Sequence, residues 1–366
     1  MTTSRVAILS WRDLTHPDGG GSEVYVESLA SGLAERGHQV TLVCARHGDA
    51  ARLERRDGFE IRRMGGRLTV YPRALLWAWR QGRRLDVVLD VINALPFATP
   101  LLPHPRVIGL IHHVHREQWR IIYPGLGGRL GWFVESWIVP RLYRRTPVVT
   151  VSGASRDDLV SLGFAPERLH VVHNGTAPAP APLTPRSPSP RLAVLARLVP
   201  HKRIEEAVDL TVELRREFPD LVLDVIGDGW WAEQIQAHIA RRGAQSYATC
   251  HGHVSQQQRS DLLAGAWLLV VPSVKEGWCL AIMEAAQVGT PAIAYRAAGG
   301  PRESIVDGET GWLVDSYPEL RDRVREILTT GPGSEHAEKA RAHARTFTWD
   351  RAVERFEAVA GLDQSP

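Results

Sequence analysis

Short apolar runs alternate with segments of helical periodicity along almost the whole chain. Residues 6–11, 39–45, 86–92, 107–112, 147–152 and 170–173 are apolar stretches of strand length. Between the first two, residues 22–36 place Val26, Leu29, Ala30 and Leu33 on one helical face, and Gly37 stands where the helix should stop. The pattern restarts at 192–196, 221–227, 267–272 and 292–295. Strands that alternate with helices predict the α/β class, with parallel sheets covered by helices on both faces. A proline-rich stretch, TAPAPAPLTPRSPSP at 176–190, interrupts the alternation. It predicts an extended, semi-rigid linker with few contacts of its own. The expected architecture is therefore two Rossmann-like domains with facing sheets and an interdomain cleft. Ligands in such sheets bind at the carboxyl ends of the strands.

Composition narrows the class. A chain of 366 residues suits two domains. An apolar fraction of 44% with 23% charged residues suits a soluble globular protein. No run of 18 apolar residues occurs and the first residues lead directly into a strand, so neither a transmembrane helix nor a signal peptide is expected. Cys44, Cys250 and Cys279 are too few and too scattered for a disulfide framework, which fits a reducing cytoplasm. Charge is uneven: residues 1–175 carry 23 Arg, no Lys and 16 acids, a net +7, whereas residues 176–366 carry a net −4. A basic first half points to an acidic partner such as anionic lipid, a phosphorylated acceptor or nucleic acid; arginine scattered over a solvated face explains it equally well.

The most informative motif is KEGWCLAIMEAAQVGTP at 275–291. Glu276 lies in a glycine-containing turn after an apolar strand, and Glu284 on the helix that follows. Strand, turn and helix N-terminus form a cradle that favours an anion. A carboxylate there would repel a bare phosphate but suits hydroxyl groups beside one, and a nucleotide-sugar carries both. Arg197 and Lys202 follow strand 192–196, where a guanidinium fork and an ammonium can neutralise a leaving diphosphate without a metal ion. Two cations near a helix start oppose its dipole unless an anion is present. Gly227, in IGDG, lets backbone lie against a nucleotide or simply turns the chain. Gly19, Gly20 and Gly21 lead into the first long helix, with Ser22 placed to cap it. No Asp-x-Asp occurs, and His112, His113 and His115 lack partner cysteines or an HExxH arrangement. These histidines read better as hydrogen-bonding a sugar or acceptor hydroxyl than as metal ligands.

Taken in order, these features resemble the retaining glycosyltransferases of family 4, with the GT-B fold. The likeness runs from GGGSEVYVESLASGLAERGHQVTLV through VTVSGASRDDLVSLGF, VVHNG, ARLVPHK, VIGDG, HGHVS and EGWCLAIMEAAQVGTPAIAY to GGPRESIVDGETGWLV. It implies a first domain, 1–175, that binds the acceptor. A second, 191–346, binds the nucleotide-sugar, and a helix over 347–361 crosses back to the first. Arg197 and Lys202 are implied to bind the donor diphosphate and Glu276 the hydroxyls of the transferred sugar. The backbone of Gly277, Trp278, Cys279 and Leu280 would surround that sugar and its phosphate, and Glu284 would bind the ribose. Gly20 and Gly21 would face the donor phosphate and the acceptor, His112, or as a close second His113, would be the family's cleft histidine, and the backbone around His253 and Val254 would contact the base. The family usually has glycine where Cys279 stands. The stretches DVVLDVINALPFATPL and LIHHVHREQW look like a bacterial subgroup.

The implied activity is transfer of a hexosyl unit from a nucleotide-diphosphate sugar to a hydroxyl, with retention and with no metal or other cofactor. The incoming hydroxyl would attack from the leaving group's side and pass its proton to the leaving phosphate. Acceptors of cell-envelope glycolipid, polysaccharide or secondary-metabolite type are all open, an anionic or lipid-linked one among them; nucleic acid is not expected. Trp119, Trp132 and Trp137, and the run GRLGWFVESWIVPRLYRR at 128–145, mix aromatic residues with arginine and read either as core or as a membrane-surface segment. A glycoside hydrolase would also use paired carboxylates, but needs no Arg–Lys pair. A non-catalytic sugar-binding or partner subunit is the remaining alternative.

Overall fold

The computed structural model describes residues 3–122, 125–331 and 333–363. The chain divides into two compact units, residues 1–175 with 348–366, and residues 176–347.

The first unit carries an eight-stranded sheet in the order β3-β4-β2-β1-β5-β6-β7-β8. Its strands are β1 (Arg5–Leu9), β2 (Gln39–Cys44), β3 (Leu53–Arg56), β4 (Phe59–Arg63), β5 (Val87–Val91), β6 (Arg106–Ile111), β7 (Val148–Thr150) and β8 (Leu169–Val171). All pairings are parallel except the β3–β4 hairpin at the edge. The apolar pattern does not announce that hairpin, because its sequence LERRDGFEIRR alternates mostly with charge. Its turn is legible afterwards: Asp57 and Gly58 both have positive φ, 45° and 84°, as a tight two-residue hairpin turn requires. Ala7 and Leu9 of β1 and Val43 of β2 pack against Val70, Ala74 and Ala78 of the helix Val70–Gln81.

The first long helix spans Gly21–Glu35 and gives way to Gly37 at φ 91°, the stop expected from sequence. Its start differs from expectation. Gly20, not Ser22, is the cap residue, and the Glu23 carboxylate accepts the Gly20 N–H at 2.7 Å. Ser22 lies inside the first turn and donates to Glu23 at 2.7 Å. The C-terminal helix Trp349–Ala360 belongs to this unit: Glu357 accepts from Arg36 at 2.7 Å and faces His38 at 3.1 Å.

The second unit carries a six-stranded, wholly parallel sheet in the order β11-β10-β9-β12-β13-β14. Its strands are β9 (Arg191–Leu195), β10 (Val222–Ile226), β11 (Ala248–Gly252), β12 (Leu268–Val271), β13 (Ala292–Tyr295) and β14 (Gly311–Val314). Counted within the unit this is the order 3-2-1-4-5-6 of a dinucleotide-type sheet, whose connections reverse direction between β9 and β12. Leu192, Val194, Leu223, Val225, Leu268, Val270 and Ile293 form one buried face.

The proline-rich segment departs from its expected behaviour as a linker of few contacts. It is a strap fastened to the second unit. Gln287 holds it at both ends of its amide, donating to the Ala177 carbonyl at 2.9 Å and accepting from the Ala179 N–H at 2.6 Å. Ser260 donates to the Pro180 carbonyl at 2.6 Å, and Asp261 accepts the Leu183 N–H at 2.6 Å. Prolines keep it out of a sheet, but their carbonyls and the intervening N–H groups still need partners, and side chains of neighbouring helices supply them.

Candidate functional site

In the second unit the chain leaves β9 and β12, the two central strands, in adjacent loops at the point where strand order reverses. Parallel sheets of this kind bind ligands there. The loop after β9 carries Arg197, half-buried, and then a single 3-10 turn, Pro200–Lys202, that presents Lys202. The loop after β12 carries Glu276. The two are tied by the Val274 N–H, which donates to the His201 carbonyl at 2.9 Å. Lys202 Nζ donates to Glu276 Oε1 at 2.5 Å, with the carboxylate residue only 8% exposed. Desolvation makes such a pair costly to break from one side, so each partner holds the other in place.

Three features shape the turn around Glu276. First, its backbone is clasped: the Glu276 N–H donates to the Ala298 carbonyl at 2.8 Å and the Gly300 N–H donates to the Glu276 carbonyl at 3.1 Å. A side chain at Gly300 would bring its Cβ to 2.6 Å from the Gly277 carbonyl oxygen, so only glycine allows the approach. Second, Trp278 is buried, with its ring edge-on to Phe347 at 4.8 Å. Third, Cys279 is left-handed, φ 78° and ψ 77°, immediately before the helix Leu280–Gln287. That conformation favours glycine, and the thiol is buried in it. Burial, then the Glu276 carboxylate, pushes the thiol pKa far up, so Cys279 is a neutral wall and not a nucleophile.

Glu284 occupies the second turn of that helix. It pairs with Arg259 Nη1 at 3.5 Å, on the helix Gln256–Gly265, rather than with the Lys202 pair. Burial pushes its pKa up and Arg259 pulls it back. His253, exposed, and Val254 lie between β11 and the Arg259 helix. Gly227 has a packing reason of its own: a Cβ there would meet the Ala196 carbonyl oxygen at 2.0 Å, so the loops after β9 and β10 touch through it. Arg259 and the Gly299–Gly300 turn were not singled out from the sequence. Arg259 carries no local motif, and GGPRE shows its purpose only when the Glu276 turn is seen against it.

The first unit holds the remaining candidates. His112 follows β6 and is 6% exposed. Its ring stands edge-on to Tyr25 of the Gly21–Glu35 helix at 5.3 Å, and neither ring nitrogen has a hydrogen-bond partner among the described residues. Burial, with His115 and Arg12 nearby, lowers its pKa to about 3, so the imidazole is neutral. A neutral imidazole can offer one donor and one acceptor to a hydroxyl. His113 is engaged elsewhere, with the Gln118 side-chain amide 2.9 Å from Nε2. His115 Nδ1 is 2.8 Å from Glu135, which also accepts the Trp119 indole N–H at 2.7 Å. Gly20 and Gly21 start the helix that bears Tyr25, and Glu23 is held there by Arg12 at 2.7 Å. Among the described residues no three metal-ligating side chains converge.

Comparison with known proteins adds two family matches. The family described as Glycosyltransferase Family 4 matches residues 19–180, and the family described as Glycosyl transferases group 1 matches residues 179–347. The MMP alpha-(1->4)-mannosyltransferase of Mycolicibacterium hassiacum is 27% identical, over 97% of each chain. A peptide N-acetylglucosaminyltransferase GtfA subunit of Streptococcus gordonii is 33% identical over 133 residues, 36% of this chain and 26% of that protein. Coverage of curated relatives is thus uneven, and the chain spans 52% of the glycogen synthase of Mycobacterium tuberculosis. Among solved structures, sucrose-phosphate synthase of Thermosynechococcus elongatus aligns with a TM-score of 0.82 at 17% identity, covering 98% and 99% of the two chains. Anabaena HepE, in complex with UDP and glucose, aligns with a TM-score of 0.75 at 17% identity, covering 98% and 100%.

Proposed function

Because the chain belongs to the family 4 glycosyltransferases and has their GT-B fold, we propose that it moves a hexosyl unit from a nucleotide-diphosphate sugar to an acceptor hydroxyl, with retention and without a metal ion. The observation that carries this reading is the Lys202–Glu276 pair at the reversal point of the second sheet. A donor diphosphate competes with Glu276 for the Lys202 ammonium, and Arg197 on the same loop adds a fork of donors. Glu276, relieved of part of its partner, accepts hydroxyls of the transferred sugar. The N-terminus of the helix Leu280–Gln287 favours the phosphate, and Glu284, oriented by Arg259, takes the ribose hydroxyls. The departing phosphate oxygen takes the proton of the incoming hydroxyl, so the protein's share is placement and charge stabilisation rather than a carboxylate base. On the first unit, neutral His112 hydrogen-bonds a sugar or acceptor hydroxyl.

The acceptor we favour belongs to the cell envelope, a glycolipid or polysaccharide, with the enzyme acting in the cytoplasm, peripherally on the inner face of the membrane. Three free thiols suit that compartment, and no helix of the described residues is long and apolar enough to cross a membrane. The test is a panel of nucleotide-sugars screened first by thermal shift and then by release of nucleoside diphosphate. A transferase releases it with acceptor present and loses the activity in Lys202→Met and in Glu276→Gln. Binding without turnover across the panel would assign the protein to the non-catalytic alternative, and cleavage of simple glycosides without a nucleotide would assign it to the hydrolases.

A further inference from the structure

The helical segment from Leu126 to Leu142 turns four large apolar side chains outward. It is built from the helix Leu126–Phe133, a π turn at Val134–Ile138 and a last helical turn at Val139–Leu142. Leu126, Leu130, Phe133 and Trp137 are 82%, 65%, 46% and 48% exposed. Their spacing of four, three and four residues puts them on one face. Phe133 and Trp137 stack on each other at 5.2 Å.

The inward face packs Trp132, Val134, Val139 and Leu142 on the core of the first unit, and it also holds small and charged residues. Gly128 and Gly131 are buried, and a Cβ at Gly131 would fall 2.3 Å from the Trp119 ring. Glu135 is buried beside them, taking hydrogen bonds from the His115 N–H at 3.0 Å and the Trp119 indole at 2.7 Å. The close approach is built in: glycines permit it, and three groups satisfy the inward carboxylate.

Charge specifies what covers the outward face. Arg129, Arg141, Arg144 and Arg145 are exposed along the segment, and the Arg141 guanidinium lies 4.1 Å from the Trp137 ring. Glu135 is the one acid in residues 125–145 and it faces inward, so the charge that this segment itself adds to the outward surface is only positive. A second copy docked through the same face would bring like charges together. Apolar side chains ringed by arginine match the boundary between acyl chains and anionic headgroups.

We propose that residues 126–145 are a docking surface for an anionic bilayer. Leu126, Leu130, Phe133 and Trp137 enter the acyl boundary, and the four arginines meet headgroup phosphates. This deepens the membrane-side placement proposed above and names the surface responsible. Binding to vesicles is measured with neither donor nor acceptor, so its failure would leave the transferase reading standing.

The experiment is co-sedimentation of the full chain with vesicles of phosphatidylcholine alone or with phosphatidylglycerol added. We expect binding to the anionic vesicles that weakens as salt screens the headgroups. Brominated lipid should quench more fluorescence in the wild type than in Trp137→Phe. Leu130→Glu/Phe133→Glu should bind at least tenfold more weakly while keeping the wild-type thermal shift with nucleoside diphosphate. Arg129→Glu/Arg145→Glu should lose the preference for anionic lipid. Equal vesicle binding by wild type and Leu130→Glu/Phe133→Glu would overturn the proposal. So would a wild type that ignores vesicles but forms a dimer dispersed by that variant.

Discussion

Cys279 and His112 both work through conformation and burial rather than through charge. The left-handed backbone at Cys279 costs a non-glycine residue about 1–2 kcal/mol. Glycine would remove that strain, but it adds unfolded-state entropy of about 0.4–1 kcal/mol and gives up a buried thiol. These terms nearly cancel, so Cys279→Gly should move stability by less than about 1 kcal/mol in urea unfolding. Cys279→Val, β-branched at positive φ, should lose about 2 kcal/mol or more. The same glycine variant should shift the ratio of kcat/KM between two donor sugars sharing one nucleotide; an unaltered ratio would place the thiol away from the donor. The family pattern flagged Cys279 as unusual, but the sign of its φ is not written in the sequence. His112 gives a pH prediction. Its pKa is about 3 in the folded chain, below the unfolded value near 6.5, so the unfolded state binds more protons between those limits. Its contribution is complete above about pH 6.5 and is lost progressively as pH falls toward 3. His112→Gln should therefore flatten the acid side of the stability profile by up to about 1.4 kcal/mol per pH unit, read from urea midpoints between pH 4 and 6. An unchanged slope would mean that the imidazole is not buried as a neutral ring.

Elements set the site by letting backbones touch. The Glu276 turn is clasped by the Gly299–Gly300 turn, and Gly300 has φ −49°, a conformation alanine adopts freely. Gly300→Ala therefore tests contact alone: its Cβ would stand 2.6 Å from the Gly277 carbonyl oxygen, and neither backbone can yield without moving Glu276. We expect at least a tenfold fall in kcat/KM for donor hydrolysis or transfer with a melting temperature only a few degrees lower; wild-type kinetics would show that the clasp does not position the carboxylate. Here sequence reading reached its limit for a physical reason. Strand cores such as Val87–Val91 announce themselves by local apolar pattern, and Glu276, Lys202 and Arg197 by motif. The β3–β4 hairpin hides behind charged residues, and Arg259 meets Glu284 only through the packing of two helices. The strap at 176–190 was misread because proline content speaks to missing N–H groups and says nothing of carbonyl partners such as Gln287 and Ser260.

For the whole molecule, the order of strands in the second sheet decides more than any single motif. It brings two distant loops, 74 residues apart at Lys202 and Glu276, to one point. Periodicity foretold two α/β units but not that order, because pairing among parallel strands depends on contacts remote in sequence. In the proposed reaction, a diphosphate leaving from this point acquires charge that something must balance. Arg197 and Lys202 each offer a charge-assisted contact of about 1.5–3 kcal/mol, and the helix N-terminus at Leu280 adds about 0.3–1 kcal/mol. Together these reach the several kcal/mol that a divalent cation would otherwise be asked to supply. Transfer should accordingly run at the same rate, within about twofold, after dialysis against EDTA, while Arg197→Ala or Lys202→Ala alone lowers kcat/KM at least tenfold, the equivalent of about 1.4 kcal/mol. Added Mg²⁺ or Mn²⁺ should then leave the wild type unchanged. Activity lost on chelation and restored by either ion would show that the cationic loop after β9 does not carry the leaving group's charge, and the roles given to Arg197 and Lys202 would have to be withdrawn with it.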